Sequence, residues 1–122
     1  MGTFIIKKTN TGFNFRLEAS NKQMICISQV YSSLSSCKAG IESIRKNCGA
    51  KIEDQTLKNF EAQTNPKYEL YVDKAGEFRF RLKASNGENI LASHGYMSKS
   101  GCKGGIESIA KNAPDADVIK EE

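Results

Sequence analysis

The chain has 122 residues, of which 39% are hydrophobic and 26% are charged, and its formal net charge is +4. This length suits one ordinary domain, and the composition is that of a globular protein rather than a disordered or fibrous one. No stretch approaches the roughly 18 consecutive apolar residues that a membrane-spanning helix needs. We therefore expect a soluble, cytoplasmic protein.

Two nearly identical stretches, FNFRLEASN from Phe13 and FRFRLKASNG from Phe78, indicate an internal duplication. With a shift of 65 residues, 21 of the 35 positions from 13 to 47 recur at 78 to 112 without a gap. Coincidence does not produce such agreement over this length. The stretch FIIKKTNTG also aligns with YELYVDKAG if Glu77 is treated as an insertion. The first strand of each copy is therefore duplicated as well.

The strands of each copy are predicted from a period of two. In the second strand apolar and polar residues alternate, which gives the strand one apolar and one polar face. The apolar positions are Phe13, Phe15 and Leu17 in the first copy and Phe78, Phe80 and Leu82 in the second. The polar positions include Arg16, Arg79, Arg81 and Lys83. A third strand is predicted at 23–29 and at 88–94, with Ile25 and Ile27, or Ile90 and Ala92, on one face.

A tight turn links the second and third strands. In the second copy it reads SNGE, and Asn and Gly tolerate the positive φ angles of a type I′ turn. Lys22 of the first copy takes the place of Gly87. Because a lysine adopts a positive φ less readily than a glycine, we expect mild backbone strain or a different turn in the first copy.

The period becomes helical after the third strand. We expect Ser33 and Ser98 to be the N-caps, because a serine oxygen accepts a hydrogen bond from the first helical turn. The apolar stripes are Cys37, Ile41, Ile44 and Cys48 in the first helix and Cys102, Ile106, Ile109 and Ala113 in the second. Gly40 and Gly105 lie inside the helices, where a glycine costs ~1 kcal/mol relative to alanine. Their recurrence indicates that each helix backbone lies close to the sheet.

The chain is thus predicted to contain a first β-β-β-α-β repeat at 1–56, a connecting segment at 57–66 and a second repeat at 67–122. The last strand of each repeat is predicted at 50–54 and at 117–120. Two halves of about 60 residues would each be marginally stable alone. We therefore expect both repeats to form one globular domain.

The signature FRLKASNG, a following Tyr and Ser pair, and GIESI resemble the YegP-like family of small bacterial proteins, a domain of unknown function. The resemblance covers nearly the whole of both copies. It implies an α+β fold in which a tandem duplication of a β-β-β-α-β unit forms one continuous antiparallel sheet. It also implies that the units exchange their last strands and that both helices pack on one face. The first copy departs from the family pattern at Lys22, Val30 and Cys48, which bears on local turn geometry. The resemblance implies no activity and no catalytic residue.

Few residues suggest catalysis. The four cysteines form no CxxC pair, and we expect reduced, mostly buried thiols. Cys37 and Cys102 lie in the first turns of the helices, where the helix dipole can lower a thiol pKa, but they share the phase of the apolar stripes. His94, the single histidine, lacks an identifiable nucleophile or orienting carboxylate. We expect no metal, no cofactor and no enzymatic activity, and a thiol-based redox protein remains the least favoured alternative.

The polar face of the sheet is the best candidate binding surface, because the sequence contains no second layer to cover it. The candidate residues are Arg16, Arg79, Arg81 and Lys83, together with the recurring tyrosines Tyr31 and Tyr96. Carboxylates on or beside this face, such as Glu18, Glu69 and Asp73, are expected to neutralise part of its charge.

We therefore expect a non-enzymatic binding or scaffold module whose partner is an unidentified macromolecule rather than a membrane. The alternative is a protein that binds single-stranded RNA or DNA. Residues 1–60 favour it, because they carry nine Lys and Arg against four Asp and Glu, whereas residues 61–122 carry nine against ten. A solvated surface explains this asymmetry equally well. We expect a monomer or a weak homodimer.

Overall fold

The computed structural model describes residues 2–121 and contains eight strands and two helices. The elements of the first repeat are β1 (Thr3–Lys8), β2 (Phe13–Glu18), β3 (Met24–Ser28), α1 (Leu34–Asn47) and β4 (Lys51–Asp54). Those of the second are β5 (Lys67–Val72), β6 (Phe78–Lys83), β7 (Asn89–Ala92), α2 (Lys99–Asn112) and β8 (Asp117–Glu121). The predicted order of strands and helices is confirmed.

All eight strands form one sheet in the order β4-β5-β6-β7-β3-β2-β1-β8. The six inner strands pair antiparallel, and β3 and β7 join the two repeats at the centre. The last strands are exchanged, since β4 pairs with β5 of the second repeat and β8 pairs with β1 of the first. Both exchanged strands run parallel to their neighbours, so the sheet is mixed rather than wholly antiparallel. Each of these two strands follows a helix in the chain. A tight hairpin would have required antiparallel pairing with the neighbouring strand, whereas a longer connection allows parallel pairing.

The two repeats share one hydrophobic core. Helix α1 contacts β2 of its own repeat and β7 of the other, and α2 contacts β6 and β3 in the same way. The apolar stripes of both helices are buried there with Phe15 and Phe80, and Phe13 and Phe78 are partly buried against them. The buried Tyr68 of β5 also donates a hydrogen bond to the carbonyl of Cys48 at the end of α1, at 2.7 Å. The two repeats therefore share one core beneath one continuous sheet.

Both helices begin at the predicted serines. The hydroxyl of Ser33 accepts a hydrogen bond from the backbone of Ser36, and that of Ser98 accepts one from Gly101. The preceding turns also behave as expected, because Lys22 has a φ of 68° and Gly87 a φ of 85°. Lys22 therefore occupies the left-handed conformation for which the second copy provides a glycine.

One prediction about the third strands is wrong. A register shift between Leu17 and Glu18 places Cys26 opposite Leu17, facing the core, and an equivalent shift occurs between β6 and β7. Ile25 is buried beside the irregularity, while Ile27 points to the other face and is 43% exposed. A bulge inserts one extra residue, so residues on either side of it no longer follow a simple period of two.

A recurring tyrosine explains the recurring glycine of each helix. Tyr31 stacks on Phe15, and a β-carbon added at Gly40 would overlap the Tyr31 hydroxyl and lie 3.3 Å from the Phe15 ring. The second copy repeats this arrangement, with Tyr96 stacked on Phe80 beneath Gly105. The predicted close approach of helix and sheet is confirmed, and the tyrosine side chain is what fills the space.

We expect Gly40→Ala to lower the free energy of unfolding by about 1–3 kcal/mol, because the new methyl group must displace Tyr31. Gly104→Ala is the matched control, since nothing lies within 4 Å of a β-carbon at that helical position. It should raise the free energy of unfolding by up to about 1 kcal/mol through helix propensity. Urea denaturation of both variants measures the difference, and equal effects would contradict the assigned packing.

Candidate binding face

The face of the sheet opposite the helices is covered by no helix or further strand among residues 2–121, and one row of side chains runs across all eight of its strands. The register fixes this row, since each member is paired with the next on the neighbouring strand. From β4 to β8 it consists of Glu53, Glu69, Arg81, Ala92, Ile27, Arg16, Ile5 and Ile119. The row is therefore acidic at one end, apolar at the other, and apolar with flanking arginines at its centre.

Arg16 is held by two carboxylates. Its Nε lies 2.8 Å from Glu18 on the same strand, and its Nη2 lies 2.9 Å from Glu121 of β8. The hydrogen bonds to both carboxylates raise the pKa of Arg16, which is charged at any physiological pH. The predicted exposure of Arg16 on this face is correct, but much of its charge is already neutralised.

Arg81 occupies the equivalent place in the second repeat. Its Nε donates to Glu69 of β5 at 2.5 Å, and its guanidinium carbon lies 4.5 Å from the centre of the Tyr71 ring. A salt bridge and a cation–π contact thus fix the side chain from two sides. Arg16 and Arg81 are equivalent residues of the two copies. Their strands, β2 and β6, lie on either side of the seam, the pair of strands β3 and β7 at which the repeats meet.

A buried ion cluster lies at the β4 and β5 end of the face. The Lys67 ammonium is 2.7 Å from Glu53 and 3.3 Å from Glu69, and Glu53 is only 2% exposed. Burial would raise the pKa of Glu53, but hydrogen bonds from Lys67, Gln55 and the amide of Gln63 outweigh it and lower the pKa to about 2. The connecting segment therefore covers the open face here and ties down a carboxylate.

The other two predicted cations, Arg79 and Lys83, lie on either side of Arg81 along β6. Arg79 bonds the carboxylate of Asp73 at 2.6 Å and the carbonyl of Ser93 at 3.1 Å. Lys83 reaches Glu69 only at 4.0 Å. The structure therefore brings the four predicted cations to one face, where each has a carboxylate within 4.0 Å.

The two predicted tyrosines do not share this face. Tyr31 and Tyr96 lie on the helix side, where they are half-buried between sheet and helix. Each forms an isolated bridge with the phenylalanine that begins β2 or β6. Their recurrence is explained by packing against the helices rather than by a place on the binding face.

Neither the thiols nor the histidine form a catalytic arrangement in the described part of the chain. All four cysteines are free and buried, and burial raises the pKa of Cys26 to about 12 and that of Cys102 to about 11. High pKa values keep thiols protonated and unreactive. His94 is exposed, with its ring 4.4 Å from that of Tyr96. Within residues 2–121, no group of three or more His, Cys, Asp or Glu could hold a metal ion.

Sequence reasoning missed two features of the face. It gave no sign that Glu53 and Lys67 would meet, because the contact depends on the exchange of β4. It also placed Ile27 on the same face as Ile25, and Ala92 on the same face as Ile90, although Ile27 and Ala92 point outward after the bulges. No pattern in the sequence near Glu53 or Lys67 indicates that the two side chains meet. The second feature did have a local signal, since Cys26 and Leu91 are apolar too and break the alternation expected of a half-buried strand.

Comparison with known proteins matches residues 9–54 and 73–119 to a domain of unknown function, DUF1508. The chain belongs to this family. A UPF0339 protein of Mannheimia succiniciproducens is 36% identical over 122 residues, covering 99% of this chain and 95% of that protein. A UPF0339 protein of Stutzerimonas stutzeri is 71% identical over 48 residues, which cover 39% of this chain and 43% of that protein.

The fold is shared with a solved family member. The solution structure of YegP from E. coli, titled a protein of unknown function, superposes with a TM-score of 0.80 at 30% identity, covering 98% of this chain and 92% of that one. The suspected YegP-like family and the tandem architecture are thus confirmed. The family description assigns no activity. Separately, no helix among the described residues is long and apolar enough to cross a bilayer.

We expect acid to weaken the fold through the Glu53 cluster. A carboxylate whose pKa is lowered by folding stabilises the protein fully above its ordinary pKa near 4, and this stabilisation is lost as the pH falls toward the folded value of about 2. Asp54 and Glu69 have lowered pKa values too, so they add to the effect. Urea denaturation should therefore show a falling free energy of unfolding between about pH 5 and pH 2.

Glu53→Gln should be less stable than the parent at pH 7 and should lose less stability on acidification. Glu107→Gln, at an exposed position of α2, is the matched control and should follow the parent curve. Identical pH dependence of Glu53→Gln and the parent would show that this cluster does not govern acid stability.

Proposed function

We propose that the protein is a non-enzymatic binding module that engages another protein through the open face of its sheet. The observation that carries this proposal is the centre of the transverse row. There, Ile27 and Ala92 form an apolar floor across the β3–β7 seam, and Arg16 and Arg81 stand on either side of it. Apolar floors with flanking arginines are typical of protein interfaces, in which arginine is enriched.

The spacing defines the partner surface. Neighbouring strands lie about 4.8 Å apart, so the two arginine-bearing strands are separated by three spacings, or about 14 Å. A protein surface that presents an apolar side chain between two carboxylates at roughly this separation would complement it. The floor is accessible, since Ile27 is 43% exposed and Ala92 is exposed as well.

The carboxylates of the protein itself position the arginines for this role. The side chain of Arg81 uses only Nε for its hydrogen bond to Glu69, and Arg16 uses Nε and Nη2, so each guanidinium keeps further N–H groups for a partner. A side chain that is already ordered loses less conformational entropy on binding. The ion pairs therefore support a preorganised interface.

The same contacts make a nucleic acid the less favoured partner. Binding to phosphates depends on cations that release counterions, and binding to single strands also uses exposed aromatic platforms. Here the cations of the face have nearby carboxylates, and Tyr71 is covered by Arg81. The basic balance of residues 1–60 remains the one observation in favour of nucleic-acid binding.

The proposal predicts a contact that depends on the central row. A photoreactive p-benzoylphenylalanine at Ile27 should yield a discrete protein adduct in nuclease-treated lysate of the source cells. Excess unlabelled parent protein should abolish the adduct by competition, whereas Arg16→Glu/Arg81→Glu protein should fail to compete. A Lys46→Glu/Lys111→Glu protein, which changes the same net charge on the exposed helix faces, is the matched control and should compete like the parent.

Three outcomes would contradict the proposal. The first is that no adduct forms, and the second is an adduct that all three proteins displace equally. The third is tight binding of fluorescein-labelled single-stranded RNA or DNA that weakens steeply with salt and is lost in Arg16→Glu/Arg81→Glu protein. This third result would establish the nucleic-acid alternative.

A further inference from the structure

The two outer strands of the sheet are equivalent by duplication but have different surroundings on the helix side. The register places Lys120 of β8 beside Ile6, and Asp54 of β4 beside Leu70, the residue equivalent to Ile6. Asp54 is tied to the start of α2 by Lys99, at 3.0 Å. The residue equivalent to Lys99 is Leu34, and no carboxylate among residues 2–121 forms a salt bridge with Lys120. On the helix side, therefore, an ion pair ties β4 to the neighbouring helix, and none among residues 2–121 ties β8 to one.

The connecting segment adds to this difference. The amide of Gln55 bonds the carbonyl of Leu70 at 2.8 Å, and the amide of Gln63 bonds Glu53 at 2.7 Å. The first bond continues the pairing of β4 with β5 beyond Asp54, and the second holds the segment against the open face beside β4. In contrast, every residue of β8 is exposed, with Val118 at 39% and Ile119 at 50%. An exposed strand edge offers unpaired N–H and C=O groups to another strand.

A groove lies between β8 and α1. Its volume is about 480 Å³, and its apolar lining comes from Ile6, Ile41, Val118 and Ile119. Three charged residues border it: Lys38, Glu42 and Lys120. Glu42 is engaged by Arg45 at 2.7 Å, which leaves the two lysines to set the charge of the groove.

From this juxtaposition we infer that the β8 edge receives an extended, apolar segment of a partner protein that carries a carboxylate, and that this segment pairs with β8 as a ninth strand and faces α1. The backbone of the segment pairs with the free edge of β8. On the helix side, an apolar residue opposite Val118 enters the groove, and a carboxylate opposite Lys120 neutralises the lysine. This site is distinct from the open face and does not depend on the proposed function.

A second copy of the chain fits this edge less well. An antiparallel pair of β8 strands centred on Ile119 would place Asp117 opposite Glu121 twice, and like charges directly opposite each other are destabilising. A pair shifted to centre on Lys120 would place the two lysines opposite each other. A pair centred on Val118 has no like charges opposite each other within β8, but it places Ala116 opposite Lys120 and leaves the lysine without a carboxylate. A segment with a carboxylate opposite Lys120 avoids the like-charge pairs and neutralises the lysine.

Two synthetic peptides test the inference with the full chain. Acetyl-Thr-Lys-Glu-Val-Val-Lys-Thr-amide places Glu opposite Lys120 and Val opposite Val118 in an antiparallel arrangement, and acetyl-Thr-Lys-Val-Val-Glu-Lys-Thr-amide does so in a parallel one. In amide NMR titrations, at least one of them should cause saturable shifts confined to residues 117–121 and to the facing part of α1.

The charge preference should reverse with the protein. The parent should bind the better peptide about tenfold more tightly than the same peptide with Lys in place of Glu, and Lys120→Glu should show the opposite order. Lys111→Glu, on the exposed face of α2, is the control and should keep the parent preference. Misfolding of the Lys120→Glu variant cannot imitate this result, because the variant must bind the Lys peptide more tightly than the Glu peptide.

Several results would overturn the inference. They are the absence of shifts with both peptides, shifts located elsewhere, an affinity that ignores the charge swap, or a concentration-dependent dimer of the parent without peptide that Ile119→Asp abolishes. The last result would assign the β8 edge to a second copy of the chain.

Discussion

The seam between β3 and β7 is the constraint on which the rest of the molecule depends. A unit of a few strands and one 14-residue helix has an apolar face larger than the helix can cover. The seam joins two such faces, so that α1 reaches β7 and α2 reaches β3, and each helix excludes water from strands of both repeats. The apolar area removed from water, at about 25 cal/mol per Å², is then shared by the two units. Neither repeat has a complete core without the other.

The same seam determines what the opposite face can be. Because both helices lie on one side, the outward side chains of all eight strands must be stable in water without a second layer. The chain meets this requirement with salt bridges between neighbouring strands, such as that of Arg81 with Glu69, and with the more deeply buried contact of Lys67 with Glu53. Charge is absent in the middle of the row, at Ile27 and Ala92, and at its β8 end, at Ile5 and Ile119. Of these two uncharged stretches, the middle is the one with an arginine on either side.

Much of this arrangement could be predicted from the sequence, for physical reasons that are local. Phe13, Phe15 and Leu17 fix the buried face of a strand, and Arg16 must then point the other way. Ser33 and Ser98 mark helix starts because a cap acts within one turn. The features that could not be predicted depend on contacts distant in sequence or on irregular register. Glu53 becomes buried only because β4 crosses to the other repeat, and the outward position of Ile27 depends on a bulge.

The exchange of the last strands has a consequence for covalent continuity. Residues 57–62 are exposed, and they are part of the only backbone link between the repeats. Each half nevertheless contributes one strand to the sheet edge of the other, through β4 and β8. Proteolytic cleavage of the link should thus leave two fragments that stay associated until both parallel strand pairs and the central seam dissociate. The peptide connection raises the effective concentration of the two halves, whereas the contacts that hold them together are those of the sheet.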